Sequence, residues 1–165
     1  MPLVRGRPLK PHAEKLSQFG TDFRISNAEM QKRRNAMQPD FSPWGEIDWC
    51  ETLIPGMEMV ATPSHGGIMV SREASILLSP AARKCGFWAG GYLCFEEDAD
   101  ENIVLRELLD QKLWRTPDRV QDHAAFEADI NRNIQTCRPD YWSARTARLQ
   151  KEPKSSQRPH PAPGR

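Results

Sequence analysis

Residues 56–71 read Gly-Met-Glu-Met-Val-Ala-Thr-Pro-Ser-His-Gly-Gly-Ile-Met-Val-Ser, two short apolar runs either side of a cluster of turn formers. Gly56 to Thr62 predicts one strand and Ile68 to Ser71 the next, with Pro63, Ser64, His65, Gly66 and Gly67 as the connection. Two strands joined so closely can only pair antiparallel, because a parallel partner needs a long crossover. The same texture, short apolar runs broken by Gly and Pro, begins at Trp44 and returns in Phe87 to Phe95, an aromatic and glycine-rich stretch that predicts a further strand approached closely by its neighbours.

Downstream the period changes. Ile103, Val104, Leu105, Leu108, Leu109 and Leu113 form a wide helical stripe, with Asp98 as its expected cap and Glu101 at the third position. Thr116-Pro117-Asp118 predicts the opening of a second helix, in which Phe126, Ile130 and Ile134 recur every fourth residue before Cys137 and Pro139. Asp140 to Gln150 can add a last amphipathic helix through Trp142, Arg145 and Leu149. Ser79-Pro80 has the form of an N-cap followed by proline at the first helical position, so a short helix is expected over Ala81 to Lys84. The expected fold class is α+β, a small antiparallel sheet with its strands within 46–95, packed against two or three helices at about 99–114, 117–137 and 140–150.

The 165 residues suit one domain, and their charge is unevenly placed. Residues 1–43 carry eight Lys or Arg against four Asp or Glu, and residues 138–165 carry seven against two, whereas the middle carries eight against sixteen. The expected organisation is a basic flexible arm over 1–43 with a short helix from Ser26 to Met37, a single domain over 44–150, and a disordered basic tail over 151–165. Basic arms attract phosphates, and Arg5, Arg7, Lys10, Arg145, Arg148, Lys151 and Lys154 supply such charges. The acidic middle opposes that attraction, so any nucleic-acid binding is expected to be weak and nonspecific.

Cys50, Cys85, Cys94 and Cys137 form no C-x-x-C pair, which argues for buried free thiols rather than a zinc ribbon. The opening residues lack an apolar signal core, and no stretch approaches the roughly 18 apolar residues of a membrane span, so a cytoplasmic, non-membrane protein is expected. Phosphate-loop, dinucleotide, H-E-x-x-H and G-x-S-x-G motifs are all missing from the sequence, and no cofactor is predicted.

Two clusters carry the chemistry that is present. In the first, Ser64-His65-Gly66-Gly67, an imidazole sits at an accessible turn beside backbone that can approach an anion, which makes Ser64, Gly66 and Gly67 candidate binding residues. In the second, Glu96-Glu97-Asp98, three carboxylates meet at a strand-to-helix junction, where such groups raise one another's pKa or bind a divalent cation. His65, Glu96 and Glu97 are the candidate catalytic residues and Asp98 a further candidate for binding, provided the two clusters meet in space. Turn geometry and helix capping account for the same residues without any reaction.

Together with Pro43-Trp44-Gly45 and Ile54-Pro55-Gly56, these clusters resemble an uncharacterised bacterial domain-of-unknown-function family found on plasmids, prophages and other mobile elements. The resemblance covers Trp44 to about Leu113, and it departs from the family pattern at Phe95, where a tyrosine is expected before the acidic run. It implies a fold boundary and a mobile-element context rather than a reaction. Three readings follow: an accessory protein acting through a protein partner, a small metal-assisted or acid/base hydrolase or nuclease built on His65 with Glu96, Glu97 and Asp98, and a weak nucleic-acid binder.

Overall fold

The computed structural model describes residues 38–152, and the expected helix before Met37 lies outside them. Strands β1 (Trp49–Ile54) and β2 (Met57–Ala61) are joined by a Pro55-Gly56 turn in which Gly56 takes a φ of +85°, a left-handed value that suits glycine. β2 then pairs antiparallel with β3 (Gly66–Ser71), Met57 opposite Val70 and Ala61 opposite Gly66. This is the expected hairpin, although β3 starts earlier than expected because both glycines of the connection enter the strand.

The stretch expected as one strand, Phe87 to Phe95, is instead a second hairpin of β4 (Phe87–Ala89) and β5 (Tyr92–Glu96). Gly90 and Gly91 form its turn with φ of +52° and +85°, and two consecutive positive φ values match the right-handed twist of a tight hairpin. β5 pairs with the free side of β3, giving one antiparallel sheet in the order β1-β2-β3-β5-β4. The fold is therefore a small α+β one, a five-stranded antiparallel sheet with helices packed on it.

Alternation divides the side chains between two faces. Met57, Met59, Ile68, Val70, Leu93 and Phe95 point toward the helices and are at most 5% exposed. Val60, Met69 and Cys94 point the other way, under Trp44 and Ile47. Burying a side chain of this size stabilises the fold by about 1.5–3 kcal/mol, so the helical face supplies most of the hydrophobic stabilisation.

A 3₁₀ turn (Ala74–Leu77) leads to α1 (Pro80–Arg83), where the Ser79 hydroxyl accepts the Ala82 N–H as the Ser-Pro pair predicts. α2 (Glu101–Asp110) lies at the centre, and every residue from Glu101 to Leu108 is buried. It begins later than expected: Asp98 does not cap it but sits at a left-handed φ of +68°, and Asp100 takes the cap position without a side-chain cap bond. Lys112, at φ +58°, turns the chain away beyond the helix, which leaves Leu113 43% exposed rather than in the buried stripe.

The next helix, α3 (His123–Cys137), opens at Asp122, whose carboxylate accepts the Ala125 N–H at 2.8 Å, and not at Pro117. Thr116 and Pro117 are buried in the connection instead. Ile130 and Ile134 are the buried positions of α3. α4 (Pro139–Lys151) follows directly, with Tyr141 as its buried residue. All four cysteines are free thiols, but burial varies from Cys94, which is enclosed, to Cys137, which is exposed. Among the described residues no helix is long and apolar enough to cross a membrane.

Candidate functional site

The β2–β3 connection is closed by Thr62. Its hydroxyl donates to the His65 carbonyl at 2.7 Å and accepts the His65 N–H at 3.1 Å, while its own N–H donates to the same carbonyl at 2.8 Å. Ser64 and His65 are left exposed at the tip. Gly66 and Gly67 lie inside the sheet, opposite Ala61 and Val60 on one side, with Gly67 opposite Glu96 on the other. There is no room there for a side chain. A Cβ on Gly66 would stand 2.6 Å from the Val60 carbonyl oxygen, and one on Gly67 would run into the Phe95 carbonyl oxygen and come within 2.7 Å of the Trp44 ring.

The two sequence clusters are neighbours in the fold. The Glu97 N–H donates to the Gly66 carbonyl at 3.0 Å, and the Glu97 carboxylate lies over Gly66, 3.2 Å from where a Cβ would be. Glu96 is exposed at the end of β5, and Asp98 is exposed with its carbonyl accepting from Asn133 Nδ2 at 2.7 Å. Among the described residues the imidazole of His65 makes no hydrogen bond or ion pair to Glu96, Glu97 or Asp98. Nor do three or more His, Cys, Asp or Glu side chains group there to hold a metal ion.

A separate cavity of about 740 Å³ opens between the sheet, α2 and α3, floored by Met59, Leu105 and Ile130. Glu101 lines it from the first turn of α2 and is 5% exposed. Burial, reinforced by the charges of Glu97 and Asp98, pushes its carboxyl up to about 8, against the pull of a hydrogen bond from the Asp98 backbone N–H. A carboxylic acid that is largely protonated at neutral pH beside a cavity of this size is the most perturbed side chain facing open space here. In the sequence Glu101 has only the position of a capping residue. Its spacing from Asp98 is the visible signal, but the burial that changes its chemistry comes from tertiary packing.

The opposite side of α2 holds a polar network. Glu107, 1% exposed along its side chain, accepts from the Ser79 N–H and hydroxyl at 2.9 Å each, from the Tyr141 hydroxyl at 2.8 Å and from Arg148 at 3.1 Å. Asp110 is held by a two-pronged contact from Arg145, at 2.6 and 2.8 Å, and by Arg106 at 3.0 Å. Asp100 receives the same two-pronged contact from Arg138. Arg145 and Arg148, expected to face phosphates, thus serve the attachment of α4 to α2.

No curated protein and no solved structure matches this chain. A family model does, over residues 37–162, and so extends past both ends of the resemblance read from the motifs. The match spans most of the sequence and takes in the whole sheet and every helix described above, so the chain belongs to the family described as Domain of unknown function (DUF7007).

Proposed function

We propose that the protein is an accessory factor of a mobile element that acts by binding a protein partner, with the β4 edge of the sheet as part of the contact surface. The reading is supported by one observation above all. β4 is an edge strand whose outward backbone groups are unpaired by the sheet, and it carries Phe87 and Trp88 at 40% and 53% exposure. Edge strands of soluble proteins are usually blunted by charge or proline, whereas exposed aromatics on one are typical of contact surfaces. Arg72 lies 5.4 Å over the Trp88 ring and restrains its orientation. The mobile-element context rests on the motif resemblance.

The test is a cross-linked pulldown from cells that carry the native gene, comparing wild type with Trp88→Ala. A partner recovered by the wild type and lost in the variant, at unchanged melting temperature, supports the reading. A purified protein that turns over a substrate and recovers no partner overturns it.

The hydrolase or nuclease reading keeps one observation in its favour, the contact between Glu97 and Gly66 that brings the two motifs side by side. Substituting His65→Ala, Glu96→Gln and Glu97→Gln one at a time separates the cases. A shared site requires each change alone to abolish turnover, with a divalent cation added if needed, while stability stays within roughly 0.5 kcal/mol. Survival of function in all three assigns the residues to the turn and the strand end.

A further inference from the structure

We propose that the cavity between the sheet, α2 and α3 binds an organic cation, an alkylammonium or guanidinium group on an apolar body. The charge would be met by Glu101 with Asp98 beside it, and the body by Trp114 and the apolar floor. Four carboxylic acids line this space, but Asp129 is paired with Arg132 at 2.8 Å and Asp122 caps α3 through the Ala125 N–H, which leaves Asp98 and Glu101 beside the single guanidinium of the lining, Arg119, whose field is shared with Glu51 on β1. Glu101 is the centre of the case. It is almost wholly buried, it receives a backbone N–H from Asp98, and among the described residues it forms no ion pair with Lys, Arg or His. Every other strongly buried acid on α2 has a cation or several donors, as Glu107 and Asp110 do. A buried acid without a cation costs stability unless its proton stays on. A ligand cation can take the place of that proton, and an aromatic wall with an aliphatic floor favours an apolar body attached to it.

Binding is linked to a proton. Glu97 and Asp98 face Glu101 from the loop before α2, Asp122 and Asp129 line the same space from α3 and its cap, Arg119 lines it from the preceding connection, and the sheet contributes the uncharged Met59. Burial beside Glu97 and Asp98 holds Glu101 protonated at neutral pH, and an entering cation favours the ionised form. The proton therefore leaves to solvent as the ligand binds, and affinity rises with pH up to about 8. This site is independent of the β4 edge, so either proposal can fail alone.

The experiment is titration of the full chain with n-hexylammonium, with the neutral isostere n-hexanol, and with a short lysine-containing peptide. It is followed by calorimetry and by the indole resonance of Trp114. Expected are saturable binding of hexylammonium, at least about tenfold weaker binding of hexanol, and a similar loss for hexylammonium in Glu101→Gln, with Asp118→Asn unchanged. Glu101→Gln should also lose the rise of affinity between pH 6 and 8. If Glu101→Gln is misfolded, Asp98→Asn provides the same test from the loop before α2. A peptide that binds tighter than hexylammonium assigns the cation to a partner's side chain, and the reverse assigns it to a free amine. Equal affinity for hexanol and hexylammonium, or no binding of any cation, overturns the proposal.

Discussion

At the scale of single residues, Gly67 and Glu101 have the most to lose. Gly67 is packed between the Phe95 carbonyl and the Trp44 ring, so Gly67→Ala must displace either a neighbouring strand or the tryptophan that covers the second face of the sheet. Overpacking of this kind costs about 1–3 kcal/mol, and the expected result is a lower denaturant midpoint with an unchanged slope. Glu101 is a different case, because its cost depends on pH. Its carboxyl sits near 8 in the fold and near the ordinary carboxylate value of about 4.5 in the unfolded chain. Between those values the folded state holds more protons, so stability is greatest on the acid side and declines as pH rises from about 5 to 8. At about 1.4 kcal/mol per pKa unit the loss is of the order of a few kcal/mol. Glu101→Gln should flatten that decline, and thermal melts at pH 5.5 and 8.5 check it. A wild-type melting temperature that rises with pH over this range would contradict the assignment.

Among the elements, α2 is the least ordinary, since it is buried nearly all round yet carries Glu101, Asn102, Arg106 and Glu107. A helix in that position requires a partner for each polar group. Asn102 meets Asn133 of α3 at 2.9 Å, Arg106 meets Glu127 of α3 at 2.9 Å, and Glu107 meets Tyr141 and Arg148 of α4. Burial, together with the adjacent Glu107 charge, raises the Tyr141 hydroxyl far above its ordinary value, so it remains a donor at every accessible pH. Tyr141→Phe removes one hydrogen bond to a charged acceptor and should cost about 1.5–3 kcal/mol, measured by equilibrium unfolding. A change below about 0.5 kcal/mol would mean that Ser79 and Arg148 alone satisfy Glu107.

Across the whole molecule, charge pairing decides how the basic C-terminal segment is used. Arg145 is only 13% exposed along its side chain and locked on Asp110, and Arg148 bridges Glu107 and Asp110. Arg145→Met should therefore lower stability by about 3–5 kcal/mol, because it leaves a buried aspartate short of its main partner. It should leave nucleic-acid affinity untouched. Any binding of duplex DNA by the full chain should be weak, independent of sequence and lost by about 200 mM salt. Fluorescence anisotropy at 50 and 200 mM salt checks this. Tight binding that survives the higher concentration would instead show a dedicated phosphate surface.

Local features were legible in the sequence where the physics is local. The apolar runs around Pro63 to Gly67 specified a hairpin, Ser79-Pro80 specified a helix start, and the stripe from Ile103 to Leu108 specified a buried helix, because turn dihedrals, capping and periodicity depend on near neighbours. The Gly90-Gly91 turn was equally local and was missed because the aromatics on either side read as one continuous strand. The two clusters were also legible, but not their contact, since Glu97 reaches Gly66 only when β5 has paired with β3. Tertiary structure alone decided that Asp98 does not cap α2, that Glu101 is buried beside a cavity, and that Arg145 and Arg148 face inward. Each depends on groups far apart in the chain, and a charge takes its character from the dielectric and the partners around it, which only packing supplies.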